Sequence, residues 1–121
     1  MKFLRHFFVV LSFPIAGLIA GEINSLTETE QKAGWQLLFD GKNLNTHWRN
    51  IGQKEVTGKG WVIEKGILVK EEGKPAGNLL TRRTWVNYEF AWVWKIEAKG
   101  NNGVKYMVLE KRGAIGHEYQ M

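Results

Sequence analysis

Between Tyr88 and Lys95 the chain alternates without a break. Tyr88, Phe90, Trp92 and Trp94 fall on one side, and Glu89, Ala91, Val93 and Lys95 on the other. A helix turns about 100° per residue and would scatter those four aromatic rings around its circumference, whereas an extended backbone sends alternate side chains to opposite faces. The pattern predicts a strand whose aromatic face, Trp92 and Trp94 above all, belongs to a core.

Similar short runs surround it. Gly60-Trp61-Val62-Ile63-Glu64 and Ile67-Leu68-Val69-Lys70 flank Lys65-Gly66 and predict a hairpin. Asn78 to Thr81 reads as an extended segment restarting after the Gly73–Gly77 loop. Beyond the Asn101-Asn102-Gly103 turn, Val104, Tyr106 and Val108 alternate against Lys105, Met107 and Leu109. The stretch Trp35 to Phe39 is apolar and stops at Asp40-Gly41, a strong turn dipeptide. Short strands punctuated by Gly and Asn, with no convincing amphipathic helix, predict an all-β sandwich. His117 to Met121 starts a last strand that would end as an unpaired edge, so the chain is expected to be part of a longer domain.

Length and charge narrow the functional classes. The 121 residues allow one domain, and the absence of Cys excludes a disulfide framework or thiolate metal site. Two of the 17 basic residues, Lys2 and Arg5, precede every acidic side chain. They are followed by the apolar run Phe7 to Ala20, about 14 residues, short of the roughly 20 that cross a bilayer. A basic start, a short apolar core and small residues after it predict a secretory signal peptide over 1–20, with a periplasmic or secreted product that keeps no stable membrane anchor. Residues 21–33 are polar and read as a linker or a short helical turn, with the folded part starting near Gly34. The other Lys residues interleave with Glu, and the only tight basic pair is Arg82-Arg83. Nucleic acid requires a clustered basic stripe, so no nucleic-acid partner is expected.

Several blocks resemble one family in order. Trp35-Gln36-Leu37-Leu38-Phe39-Asp40-Gly41-Lys42-Asn43-Leu44 and Trp48-Arg49 are similar to the opening of the 3-keto-disaccharide hydrolase family. Trp61 to Leu68 resembles its first hairpin. Tyr88 to Lys95 matches its aromatic strand in part, with the first family aromatic at Tyr88 or Phe90. Asn101 to Tyr106 and Gly116-His117-Glu118-Tyr119-Gln120-Met121 resemble two further blocks, with Asn102 standing where Ser is commoner. The resemblance implies a concanavalin A-like jelly-roll β-sandwich, incomplete in this chain, exported and acting on sugars.

The substrate class so implied sets the chemistry. In a 3-keto sugar the carbonyl makes the C2 proton acidic; a base removes it, the enolate expels the glycosidic oxygen from C1, and water adds. The site needs a base, a cation or donor for the enolate oxygen, and polar groups for hydroxyls. Glu118 and Gln120, two apart, share one strand face: Glu118 is the candidate base or acid, and Gln120 a hydroxyl ligand. Lys105, opposite Val104 and Tyr106, is the candidate for the enolate oxygen. His117 is a third candidate, although a regular strand points it away from Glu118. Asn102 in its turn and Trp48 in a polar loop are candidate sugar contacts, Trp48 by stacking. Each has a plain alternative as a solvent-facing strand or turn residue. Asp40 reads as a turn residue. No cofactor is expected, and no Asp/His cluster of recognisable spacing marks a metal site, although such ligands can converge from distant positions. A carbohydrate-binding lectin-like module would share the sandwich and the Trp content and need no base.

Overall fold

A computed structural model describes residues 23–121. The expected signal peptide lies outside them. Ahead of Gly34 the polar stretch forms one short helix, α1 (Glu28–Lys32), because its start carries a reciprocal cap. The Thr27 backbone N–H donates to Glu30 Oε2 at 2.8 Å, and the Glu30 N–H donates to Thr27 Oγ1 at 3.3 Å.

Everything else that is regular among the described residues is strand, apart from one 3-10 turn at Glu110–Arg112. The strands are β1 (Trp48–Asn50), β2 (Trp61–Glu64), β3 (Ile67–Lys70), β4 (Leu79–Thr81), β5 (Gly103–Leu109) and β6 (Ile115–Gln120). The all-β expectation is met. Among the described residues the strands form three antiparallel ribbons, β1–β4, β2–β3 and β5–β6, a coarser arrangement than jelly-roll connectivity.

The β2–β3 hairpin turns where the sequence predicts it. Glu64 pairs with Ile67, and the two residues between them, Lys65 and Gly66, both have positive φ, at 49° and 80°. That is the two-residue turn whose twist suits a hairpin, and Gly66 adopts it without a Cβ penalty. Asp40 is a turn residue as expected: its Oδ1 accepts the N–H groups of Lys42 and Asn43, each at 2.8 Å. The donated N–H of Asn43, with that of Lys42, holds its carboxyl below the usual carboxylate range.

The strongest sequence signal is corrected. Tyr88 to Lys95 pairs with no strand among the described residues. Alternation reports where side chains point, whereas a ladder needs backbone hydrogen bonds to a neighbouring strand, and among the described residues no strand pairs with this segment. Its aromatic face still packs in part: Phe90 stacks on Trp92 with centroids 4.9 Å apart, and Trp92 meets Tyr119 of β6 edge-on at 6.3 Å. Trp94, expected in the core, is 47% exposed. Among the described residues the buried apolar side chains are few, Leu38, Leu44, Ala76 and Ala114, with Asn50 as the buried polar residue.

A second correction concerns β5. Tyr106 pairs with His117 but Leu109 pairs with Ile115, so β5 spends one extra residue there. Met107 takes up the difference at a φ of 55°. The bulge puts Leu109 on the Tyr106 face, not on the Lys105 face that simple alternation assigns it.

Candidate active site

Directly paired residues in an antiparallel ribbon share a face. The register Gly103↔Gln120 and Lys105↔Glu118 therefore puts Lys105, Glu118 and Gln120 together on one side of β5–β6. Val104, Tyr106, His117 and Tyr119 occupy the other. The bulge lies beyond Tyr106, so it leaves this arrangement undisturbed. Lys105 Nζ stands 3.7 Å from Glu118 Oε2, and both side chains are more than a third exposed (38% and 39%). That is a loose, solvated ion pair able to open to a ligand.

Gln120 is held more tightly. Its Nε2 donates to Asn101 Oδ1 and to the Asn102 carbonyl, both at 2.7 Å. With the amide hydrogens committed, the side-chain oxygen is the part of the group that can accept from a ligand donor. Asn102 shapes the ribbon end: its Oδ1 accepts the Gly103 N–H at 2.8 Å, and its carbonyl also accepts the Met121 N–H at 3.0 Å. Gly103 lies beneath Glu118. A Cβ there would sit 2.9 Å from Glu118 Cγ and 3.0 Å from Cδ, and would press on Oε1 as well. Gly103→Ala is therefore expected to displace the Glu118 carboxylate and separate it from Lys105, with little change in Tm because a flexible side-chain end yields cheaply. The carboxyl carbon shift of Glu118 by NMR reads this directly; an unmoved shift would show that the side chain has room elsewhere.

The other two candidates lie apart from this group. His117 stacks on Tyr106 across the ribbon, centroids 5.4 Å apart, on the face away from Glu118. Trp48 is not in a polar loop but in β1, half-buried, its Nε1 donating to the Leu38 carbonyl at 2.7 Å. That bond fixes the ring edge and ties the Trp35–Phe39 segment to the first ribbon.

The family-model comparison matches residues 34–121 to the 3-keto-alpha-glucoside-1,2-lyase-like domain. The chain belongs to that family. A 3-keto-disaccharide hydrolase of Bacteroides thetaiotaomicron is 31% identical over 100 residues, covering 77% of this chain and 34% of the relative. The chain thus spans about a third of the length of that relative. No solved structure gives a significant match. Within the matched region lie all the candidate residues of this lyase-like domain, from Trp48 to Gln120.

Sequence reasoning passed over two features of the domain. Arg49 of β1 forms a two-pronged ion pair with Glu110, Nη1 to Oε1 at 2.6 Å and Nη2 to Oε2 at 2.7 Å. Oε1 also accepts the Gly52 N–H at 2.9 Å. The partners are 61 residues apart in the chain, so no local pattern announces them. The Arg49 guanidinium, helped by the Gly52 N–H, lowers the Glu110 carboxyl from 4.5 to about 2. A carboxyl whose folded value is depressed adds stability above its ordinary pKa and loses it as pH falls towards the folded value. Thermal unfolding of wild type and Glu110→Gln is thus expected to show a constant stability gap above pH 4.5 that closes between pH 4.5 and 2. A gap indifferent to pH would mean the carboxylate is not what stabilises that junction.

The second feature is a cleft of about 480 Å³ lined by His47, Arg82, Arg83 and Trp85, among others. Glu118, Lys105 and Gln120 are not on its wall; they lie on the open ribbon face. Among the described residues no group of three or more His, Asp or Glu side chains converges as a metal site would require.

Proposed function

We propose that this chain carries part of the site of an exported hydrolase that cleaves 3-keto glycosides with the help of the sugar's own carbonyl. The observation that carries the reading is the cross-strand pair Lys105–Glu118, 3.7 Å apart, with Gln120 one step along the same face. Membership of the lyase-like family supports a hydrolase-like function at family level, and the basic-then-apolar start supports export to the periplasm or beyond.

Glu118 takes the C2 proton, and the released electron pair moves into the C2–C3 bond and onto the carbonyl oxygen. The Lys105 ammonium faces that developing charge. When the carbonyl re-forms, a C1–C2 double bond appears and the glycosidic oxygen leaves with a proton. Water then adds across the double bond, oxygen to C1 and hydrogen to C2, so that the sum is hydrolysis without net oxidation. The Gln120 oxygen accepts from a ring hydroxyl and fixes the sugar along the ribbon. His117, on the far face, takes no step.

A carbohydrate-binding module is the second reading. It is favoured by the openness of the ribbon and by Tyr119, 60% exposed, on the opposite face. Proton NMR in deuterated water with a 3-keto disaccharide separates the two. Replacement of the C2 hydrogen by deuterium, followed by aglycone release, supports the hydrolase. Bound sugar that keeps its C2 hydrogen supports the module and removes Glu118 from its role.

A further inference from the structure

We infer that the cleft beside the β1–β4 ribbon is a second binding site, separate from the Glu118 face, for a saccharide bearing an oxyanion such as a uronic acid carboxylate. Adjacent residues of a strand point to opposite faces, yet Arg82 and Arg83 both line this cleft. They can do so because β4 ends at Thr81 and the chain bends over both arginines.

The bend is held in place. The Arg82 backbone N–H donates to the His47 carbonyl at 2.9 Å, and its Nε donates to the Asn45 carbonyl at 2.6 Å. With its inner edge tied, the Arg82 guanidinium keeps both Nη groups without a protein acceptor among the described residues. Arg83 has no hydrogen bond or ion pair there either. The ion pairs of the described chain use Lys32, Arg49, Lys74 and Lys105, and no Asp or Glu lines the cleft. Both arginines line one cleft that holds no acidic side chain, and a carboxylate bound there would supply the missing counter-charge while accepting paired N–H donors.

The remaining walls suit a sugar ring. Gln36, Thr46 and His47 offer neutral polar groups, Trp85 offers an apolar ring wall, and the volume lies within the range of small-ligand sites. The other basic residues are dispersed among acidic ones, so no basic stripe extends the cleft into a polyanion track. The sugar half of the inference rests on the function proposed above; the oxyanion half does not.

The test is calorimetric titration of the full chain at low salt with digalacturonate, with the neutral galactose disaccharide and with sodium sulfate alone. Digalacturonate is expected to bind at least about tenfold more tightly than the neutral disaccharide. Arg83→Gln is expected to abolish about that factor, with Arg83→Lys recovering part of it and Tm unchanged in both, since Arg83 ties no backbone. Equal affinity for the acidic and neutral disaccharides, or undiminished affinity in Arg83→Gln, overturns the site. Sulfate binding as tightly as digalacturonate overturns the saccharide half. Glu118→Gln serves as the control. It is expected to leave digalacturonate binding intact, so failure of the cleavage reading and failure of this one appear in different measurements.

Discussion

Glu118→Gln is expected to slow exchange of the C2 proton of a 3-keto disaccharide by about 10²–10⁴-fold, the usual weight of a positioned general base. The replacement preserves length, shape and the ability to accept a hydrogen bond, while removing the only basic atom on that face of β6. Because Glu118 is 39% exposed and its one ionic partner is a solvated lysine, the fold should lose little. Sugar binding should persist, since the Gln120 oxygen and its anchors at Asn101 and Asn102 are untouched. The informative comparison is rate against affinity: a fall in exchange at constant binding assigns the proton step to Glu118. Exchange at the wild-type rate would remove the carboxylate from the mechanism altogether.

Asn50→Ala is expected to destabilise the protein by about 2–4 kcal/mol, the largest effect on stability among the changes considered. Asn50 is 4% exposed, and every polar atom of its side chain is engaged. Nδ2 donates to the Ala76 carbonyl at 3.0 Å and the Asn78 carbonyl at 3.3 Å, while Oδ1 accepts the Thr57 N–H at 2.5 Å and its hydroxyl at 3.3 Å. One amide thus joins β1 to both loops that flank it. Truncation leaves the buried end of that set without partners, and unsatisfied buried groups cost more than the bonds themselves return. Asn50→Asp should fare no better, because a carboxylate cannot donate to Ala76. Urea denaturation reads the change through the midpoint; a shift equivalent to less than about 0.5 kcal/mol would place Asn50 among ordinary surface substitutions. The same residue also supports the Arg49–Glu110 junction indirectly. Gln53 donates its backbone N–H to the Asn50 carbonyl, beside the Gly52 N–H that Glu110 accepts.

Much of the strand inventory was legible in local pattern. The Lys65-Gly66 turn, the alternation of β5 up to Tyr106, and the shared face of Glu118 and Gln120 all follow from extended backbone geometry, which repeats every two residues wherever it occurs. The family blocks were legible for the same reason, since each is short and contiguous. Tyr88 to Lys95 shows the limit of that logic. Its alternation is real, as the Phe90–Trp92–Tyr119 contacts attest, but pairing depends on what lies alongside.

The amino-acid order was enough to establish the strand character of this chain, its hairpin and turn positions, and which of Glu118, Gln120 and His117 face the same way, because those properties are settled within a few residues of backbone. Folding in three dimensions alone brought Lys105 opposite Glu118, closed Arg49 onto Glu110 across 61 residues, sank Asn50 between two loops, and turned Arg82 and Arg83 into one cleft. Such contacts depend on how distant segments meet, and the entropy of closing the intervening chain is offset by many interactions at once, none of which leaves a mark on its neighbours in sequence.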